Sequence, residues 1–230
     1  GREIYIAAPP IPTAVKTTAG ETLFTKEQYD TGRQVWQRVG GHQMGSIWGH
    51  GSYVAPDWSA DWLHREATAL LELWAQRDSG KAYADLDAVQ QAGLQARLQQ
   101  TMRENTYDPA TGVITVDEDR AQAIRQVNDH YMRLFGPDVE LNTLRAQYAI
   151  QQNPIPDVEQ RQAMMAFFFW TSWSASTNRP DNTITYTSNW PSEPLVGNVP
   201  TTSTYLWTFI SIFGLLAGVG ALAWYYVATH

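Results

Sequence analysis

The sequence contains no cysteine and very little lysine. None of the 230 residues is Cys, which excludes disulfides, thiolate metal sites and the thioether attachment of a c-type haem. Only Lys16, Lys26 and Lys81 are lysines among sixteen basic residues, and the formal net charge is −7. An acidic chain without a basic stripe is not expected to bind nucleic acid.

The sequence also lacks the motifs of several common enzyme classes. It has no GxxxxGK[ST] phosphate loop, no GxSxG nucleophile elbow, no HExxH zinc motif and no EF-hand loop. No nucleophile, base and oxyanion donor stand together in a recognisable pattern. The residues themselves therefore indicate no catalytic site in this chain.

One long uncharged run lies at the C-terminal end. No charged residue occurs from Leu195 to Thr229, and the stretch from Tyr205 to Val227 is almost wholly apolar and aromatic. About 23 residues at about 1.5 Å per residue match the hydrocarbon core of a bilayer, which is about 30 Å thick. Tyr and Trp flank both ends, as in membrane helices, and a G-x-x-x-G spacing favours helix packing. We expect a single transmembrane helix at 203–229 in a longer membrane protein.

The rest of the sequence is predicted to be mostly α-helical. Thr25 and Gln28 form a capping box, and Pro and Gly pairs separate several amphipathic stretches. The predicted helices cover 26–38, 59–77 with Ser59 as cap, 85–105, 117–135, 140–150 and a segment after Asp157, and a short strand is predicted at 113–116. The predicted organisation is an extended Pro-rich arm at 1–20, a domain at 21–175, a linker at 176–202 and the membrane helix.

The periodicity of apolar residues predicts which positions are buried. Glu66 and Glu72 are expected on a solvated face, and Val89 is expected in a buried stripe. The run from Met164 to Trp170 is apolar on every side and too short to span a bilayer. We therefore expect it to be buried inside the domain or against another one.

The stretch from Val39 to Asp57 is the strongest candidate for a functional site. It contains five glycines, which favour positive φ or close backbone approach, and two of the five histidines. It either wraps a ligand, cofactor or protein surface, or it is a long connector. His42 and His50 form either a metal pair or local hydrogen bonds, and the acidic run at 117–119 is either a metal site or a helix start.

Three segments resemble one known family. The run from Gly49 to Asp57 with the following WSADWLH, the Pro-rich run at 8–12, and the segment from Asn189 to Asn198 resemble quinol-dependent, single-subunit nitric oxide reductases. They are similar to the family's N-terminal hydrophilic domain and to its entry into the second membrane helix. The resemblance covers essentially the whole chain in order.

The resemblance implies a cytochrome-c-like helical domain that lacks haem. In the related cytochrome-c-dependent enzymes, a C-x-x-C-H haem motif precedes a similar Gly-rich run. Alignment on that run places the motif at Gly41, His42, Gln43, Met44 and Gly45, where both cysteines and the ligand histidine are absent. We expect aromatic side chains such as Trp36 and Trp48 to occupy the haem space.

The resemblance also implies cofactors and partners outside this chain. The whole enzyme is expected to hold two b-type haems, non-haem iron and calcium, to oxidise quinol, and to reduce two NO to N2O. Backbone oxygens near Gly51 and Tyr53 are the candidate calcium contacts of this chain. The remaining transmembrane catalytic domain and the lipid bilayer are the expected partners.

The expected location is the cytoplasmic membrane of a bacterium or archaeon, with the soluble domain on the extracytoplasmic side. A free-standing membrane-anchored binding or sensor module is the alternative interpretation.

Overall fold

The computed structural model describes residues 8–49 and 54–229, which are mostly helical. The predicted fold class, a mainly α domain followed by one C-terminal helix long and apolar enough to cross a membrane, is confirmed. The α-helices are α1 (Lys26–Arg38), α2 (Trp58–Ser79), α3 (Ala88–Arg103), α4 (Glu118–Leu134), α5 (Asn142–Gln147), α6 (Val158–Ser176) and α7 (Thr202–Thr229). The strands are β1 (Ala14–Thr17), β2 (Thr22–Thr25), β3 (Tyr107–Asp108) and β4 (Val113–Val116).

Side-chain caps set where the helices begin. The Thr25–Gln28 capping box is present at the start of α1, and Asp157 caps α6 as predicted. The prediction that Ser59 caps α2 was wrong, because Asp57 accepts the backbone N–H of Ala60 and starts the helix earlier. The predicted helix at 140–150 is also shorter: a 3-10 turn precedes α5, which ends at Gln147.

A small sheet closes one side of the domain. Its strand order is β2-β1-β4-β3, with β1 antiparallel to β2 and parallel to β4. The predicted strand at 113–116 is confirmed, whereas residues 14–17 form a strand inside the segment expected as an arm. Val15, Phe24 and Ile114 are buried, so the sheet contributes apolar side chains to the main core.

Helix α6 is the centre of that core. Every residue from Ala163 to Ser176 is buried, which confirms the prediction for the apolar run of this helix. Helix α1 crosses it at very short range: a Cβ at Gly32 would lie 2.0 Å from the carbonyl oxygen of Ala163. Only glycine permits this approach, and it brings Trp36 at the end of α1 against Phe167.

An ion pair is buried between α2 and α4. The side chain of Glu66 is 1% exposed and that of Arg120 is 3% exposed, with Arg120 Nε donating to Glu66 Oε1 over 2.8 Å. Trp62 Nε1 donates to the other carboxylate oxygen over 2.9 Å. The prediction that Glu66 is solvated was therefore wrong. The prediction that Val89 is buried was also wrong, since it is 82% exposed.

A second buried cation closes the C-terminal end of α4. Arg145 is 1% exposed, and its guanidinium donates to the backbone oxygens of Leu134, Arg133, Asp138 and Gly136 over 2.6 to 2.7 Å. The oxygens of Arg133 and Leu134 carry the negative end of the helix dipole, and those of Gly136 and Asp138 belong to the turn that follows. The charge of Arg145 is thus balanced by carbonyl groups rather than by a carboxylate.

Candidate functional site

The candidate site lies where the Gly-rich stretch meets the segment that leads into α7. Residues Gly41–Gln43 form a 3-10 turn, and the exposed His42 ring lies 4.8 Å from the Trp36 ring in an edge-on contact. Gly45 packs directly on a core side chain, since a Cβ there would lie 1.9 Å from Trp58 Nε1. Only glycine fits at this position, because the indole ring of Trp58 lies too close to the backbone for any side chain.

Aromatic rings fill the interior beneath residues 41–45. The Trp58 ring stacks on Phe168 with a centroid distance of 5.7 Å and contacts Phe135 at 5.3 Å. Trp48 packs on Trp170 at 5.4 Å. A covalently attached haem does not fit these residues, because the chain has no Cys for thioether bonds and rings occupy the space behind the turn.

Asp57 organises the other half of the stretch. One carboxylate oxygen accepts the Ser46 hydroxyl over 2.8 Å and the backbone N–H of Gly49. The other accepts the Ala60 N–H over 3.0 Å and the Ser59 hydroxyl. Asp57 therefore joins the two ends of the loop to the first turn of α2.

Replacing Asp57 with Asn is expected to loosen this loop without unfolding the domain. An amide NH2 cannot accept from Ser46 and Gly49, while the remaining amide oxygen still caps α2, so we expect a loss of about 1–2 kcal/mol. Hydrogen exchange would show faster exchange at Gly49. The matched change Asp87→Asn, at the capping box of α3, should leave Gly49 exchange unchanged. Equal exchange in both variants would contradict the role of Asp57.

The Gly-rich stretch is locked to the segment preceding α7. Trp190 Nε1 donates to the backbone oxygen of Trp48 over 3.0 Å, across 142 residues of sequence. Gly49 has φ +78°, and a Cβ there would lie 2.3 Å from Trp190 Nε1. On the other side, Trp48 Nε1 donates to the Thr171 carbonyl of α6 over 2.8 Å. The loop is thus held between the core and the segment that leads into α7.

The segment at 176–202, expected as a linker, is packed against the domain. Arg103 at the end of α3 donates to the carbonyl of Thr183 and to the side-chain oxygens of Asn189 and Asn198. Asn198 is fully buried and donates to the Ala175 carbonyl of α6 over 2.7 Å. Burial lowers the pKa of Arg103, which remains a cation at any physiological pH. These contacts fix the position from which α7 departs.

A polar network links α2 to the same segment. The His64 side chain is exposed, and its Nδ1 lies 2.8 Å from Glu193 Oε2 in the segment that precedes α7. One turn earlier, the Asp61 carboxylate accepts the buried Tyr131 hydroxyl over 2.5 Å. Burial, reinforced by the Asp61 charge, raises the pKa of Tyr131, and burial lowers the pKa of His130 to about 4. Tyr131 and His130 are thus both uncharged at neutral pH.

The acidic run at 117–119 has structural partners throughout. Asp117 caps α4, Glu118 accepts the backbone N–H of Ala19, and Asp119 accepts from Trp74 and Arg77. Within residues 8–49 and 54–229, no three His, Cys, Asp or Glu side chains come together as a metal cluster. The expected calcium contacts, Gly51 and Tyr53, and the second loop histidine, His50, lie outside the described residues.

A family match decides what kind of domain carries this loop. The family described as the NorB cytochrome c-like domain of nitric oxide reductase matches residues 12–192. The chain belongs to this family. No curated protein matches the sequence. The match covers the Gly-rich stretch and Trp190 and ends before α7, so the predicted relationship to nitric oxide reductase is confirmed for the domain.

Sequence reasoning missed three residues that shape the site of this nitric oxide reductase domain. The pattern marks Asp57 only as the end of the Gly-rich run, and it predicts no role for Arg103 or Trp190. The D-W-S order at 57–59 is a recognisable helix start and could have identified the cap. Nothing local in the sequence indicates that Arg103 and Trp190 hold the segment at 176–202 that precedes α7.

Proposed function

We propose that this chain is the non-catalytic, extracytoplasmic and membrane-entry part of a quinol-dependent nitric oxide reductase. The whole enzyme would reduce two NO to N2O and water with electrons from quinol. The observation that carries the proposal is the contact between Trp48 and Trp190 in a domain of this family, because it fixes the Gly-rich loop at the base of a helix able to span a membrane.

The proposed role of the domain is structural rather than electron-carrying. The five residues at 41–45 offer no thioether partner, and Trp36 and Trp58 are buried in ring contacts behind them. Such packed aromatic surface stabilises a fold in the way that a buried cofactor otherwise would. The domain would therefore cap the catalytic part, and the b-type haems and non-haem iron would be held by the remaining transmembrane part.

The loop is the proposed contact with that catalytic part. Gly49 is fixed by Trp190 and by Asp57, and Asp57 also starts α2. The stretch between these anchors includes Gly51 and Tyr53, whose backbone oxygens we propose as calcium contacts completed by groups of the catalytic part. Fixed flanking residues lower the entropy cost of binding a partner.

Replacing Gly49 with Ala in the whole enzyme tests the docking role. The new Cβ would collide with Trp190 and strain the positive φ, so we expect quinol-driven NO consumption to fall about tenfold or more through misplacement of the loop. Gly80→Ala is the matched control, because Gly80 has a similar φ of +67° and open space around it. Retained activity in both variants would contradict the docking role.

The electron donor and the haem content test the rest of the proposal. Membranes that contain the whole protein should consume NO with a short-chain quinol and not with reduced cytochrome c.

The purified 230-residue chain should show no c-type haem band in a pyridine haemochrome spectrum. NO consumption driven by reduced cytochrome c would refute quinol dependence. A native polypeptide without NO reductase activity would favour the sensor or binding module instead.

A further inference from the structure

A cavity of about 730 Å³ lies at the junction of the domain and α7. Trp48, Tyr186 and Trp190 line it from the domain, and Tyr205 and Thr208 line it from the first turns of the helix. Its volume is within the range of about 300–1,000 Å³ that ligand pockets usually have. The two tryptophans that hold the Gly-rich stretch form one wall of this cavity, and α7 forms another.

The lining of the cavity favours an apolar occupant. Trp190 Nε1 and Trp48 Nε1 already donate to backbone oxygens, and the Thr208 hydroxyl donates to the Thr204 carbonyl over 2.8 Å. Among the described residues, no charged side chain lines the cavity. Since these three donors are already paired, the two indole rings offer an occupant mainly carbon surface.

The position of the cavity along α7 indicates where that occupant comes from. The apolar run of the helix begins at Tyr205, which places this residue and Thr208 at the upper boundary of the hydrocarbon core. Tyr205 is also half-exposed, so the cavity wall continues onto the exposed surface of the helix. With α7 in a bilayer, the cavity would lie at the depth where acyl chains meet their headgroups.

We propose that this cavity seats one acyl chain of a membrane phospholipid. The acyl chain would lie between Trp190 and Thr208 and fill the space between the domain and α7. The proposal rests on the membrane assignment of α7 and not on the reduction of nitric oxide. A lipid at this position would join the domain to the bilayer by apolar contact in addition to the covalent connection.

Photolabelling of the 230-residue chain in nanodiscs tests this assignment. The nanodiscs would consist of phosphatidylcholine with a fraction carrying a diazirine near the glycerol end of one acyl chain. After illumination, mass spectrometry should find adducts in the peptide at 186–190 as well as in α7. Thr208→Trp fills the cavity and should displace about two methylene groups of the acyl chain from it. The yield of adducts at 186–190 should therefore fall about tenfold. Labelling near Leu215 should not change.

Thr229→Trp is the matched control, since it makes the same substitution at the opposite end of α7 and should leave the labelling at 186–190 unchanged. Adducts confined to α7 in the unmodified chain would overturn the proposal. Equal labelling of 186–190 in the Thr208→Trp variant would also overturn it. Loss of these adducts on addition of a short-chain quinone would assign the cavity to a quinone ring instead.

Discussion

Replacing Glu66 with Ala is expected to lower the free energy of unfolding by about 3–5 kcal/mol, because it leaves the Arg120 guanidinium buried without its carboxylate. The Glu66 carboxylate also accepts from Trp62, so a buried indole N–H loses its partner as well. Urea unfolding of the purified chain in mild detergent, followed by tryptophan fluorescence, would measure the loss. Both side chains of the pair are buried, so water cannot solvate the Arg120 charge once the carboxylate is removed. This is why one substitution is expected to lower the free energy of unfolding so much.

A double replacement separates the ion pair from the side-chain volume. Glu66→Leu combined with Arg120→Met should recover most of the stability, because two apolar side chains of similar size leave no buried charge. Glu21→Ala is the surface control: its partner is Arg125, both side chains are exposed, and a change within about 1 kcal/mol is expected. A Glu66→Ala effect no larger than that of the control would contradict the buried pair.

The second large effect is expected at Arg145. Arg145→Met should cost about 3–5 kcal/mol, because four backbone oxygens at and just after the end of α4 lose a charged donor, and two of these hydrogen bonds are buried. Arg145→Lys should cost less, since an ammonium group keeps the charge and up to three of the donors. The midpoint of thermal unfolding and the hydrogen exchange of residues 134–136 would measure both variants.

Arg125→Met is the corresponding control for Arg145. The Arg125 side chain is 44% exposed and bonds to Glu21 across the surface, so its loss should leave the unfolding midpoint nearly unchanged. If Arg145→Met behaves like this control, the carbonyl oxygens around Arg145 find other donors and its proposed role in holding α4 is wrong.

Local signals were sufficient to predict most helices of this domain. The capping box at Thr25 and the caps at Asp117 and Asp157 act within one turn, so the sequence shows both partners of each hydrogen bond. The buried apolar residues of α4, Ile124, Val127, Tyr131 and Leu134, recur with the helical period, which is a local signal. The strand at 14–17 was not predicted: it pairs with the nearby β2 on one side and with β4, far along the sequence, on the other.

Long-range partners explain the failures at Glu66 and in the functional site. The sequence around Glu66 looks amphipathic, and only the fold brings Arg120, 54 positions later, to its carboxylate. The glycines of the Gly-rich stretch predicted positive φ or close backbone approach, and Gly40, Gly41 and Gly49 do have positive φ. That Gly49 faces Trp190, however, follows from tertiary packing and not from any local pattern.

The two ends of the domain lie at the same place. Pro9 lines the cavity together with Tyr205, and the carbonyl of the neighbouring Pro10 accepts Trp170 Nε1 over 2.9 Å. The backbone therefore enters and leaves this domain at neighbouring points. Such a domain can be inserted between two neighbouring elements of a larger fold without forcing them apart. Its architecture is therefore that of an insertable module.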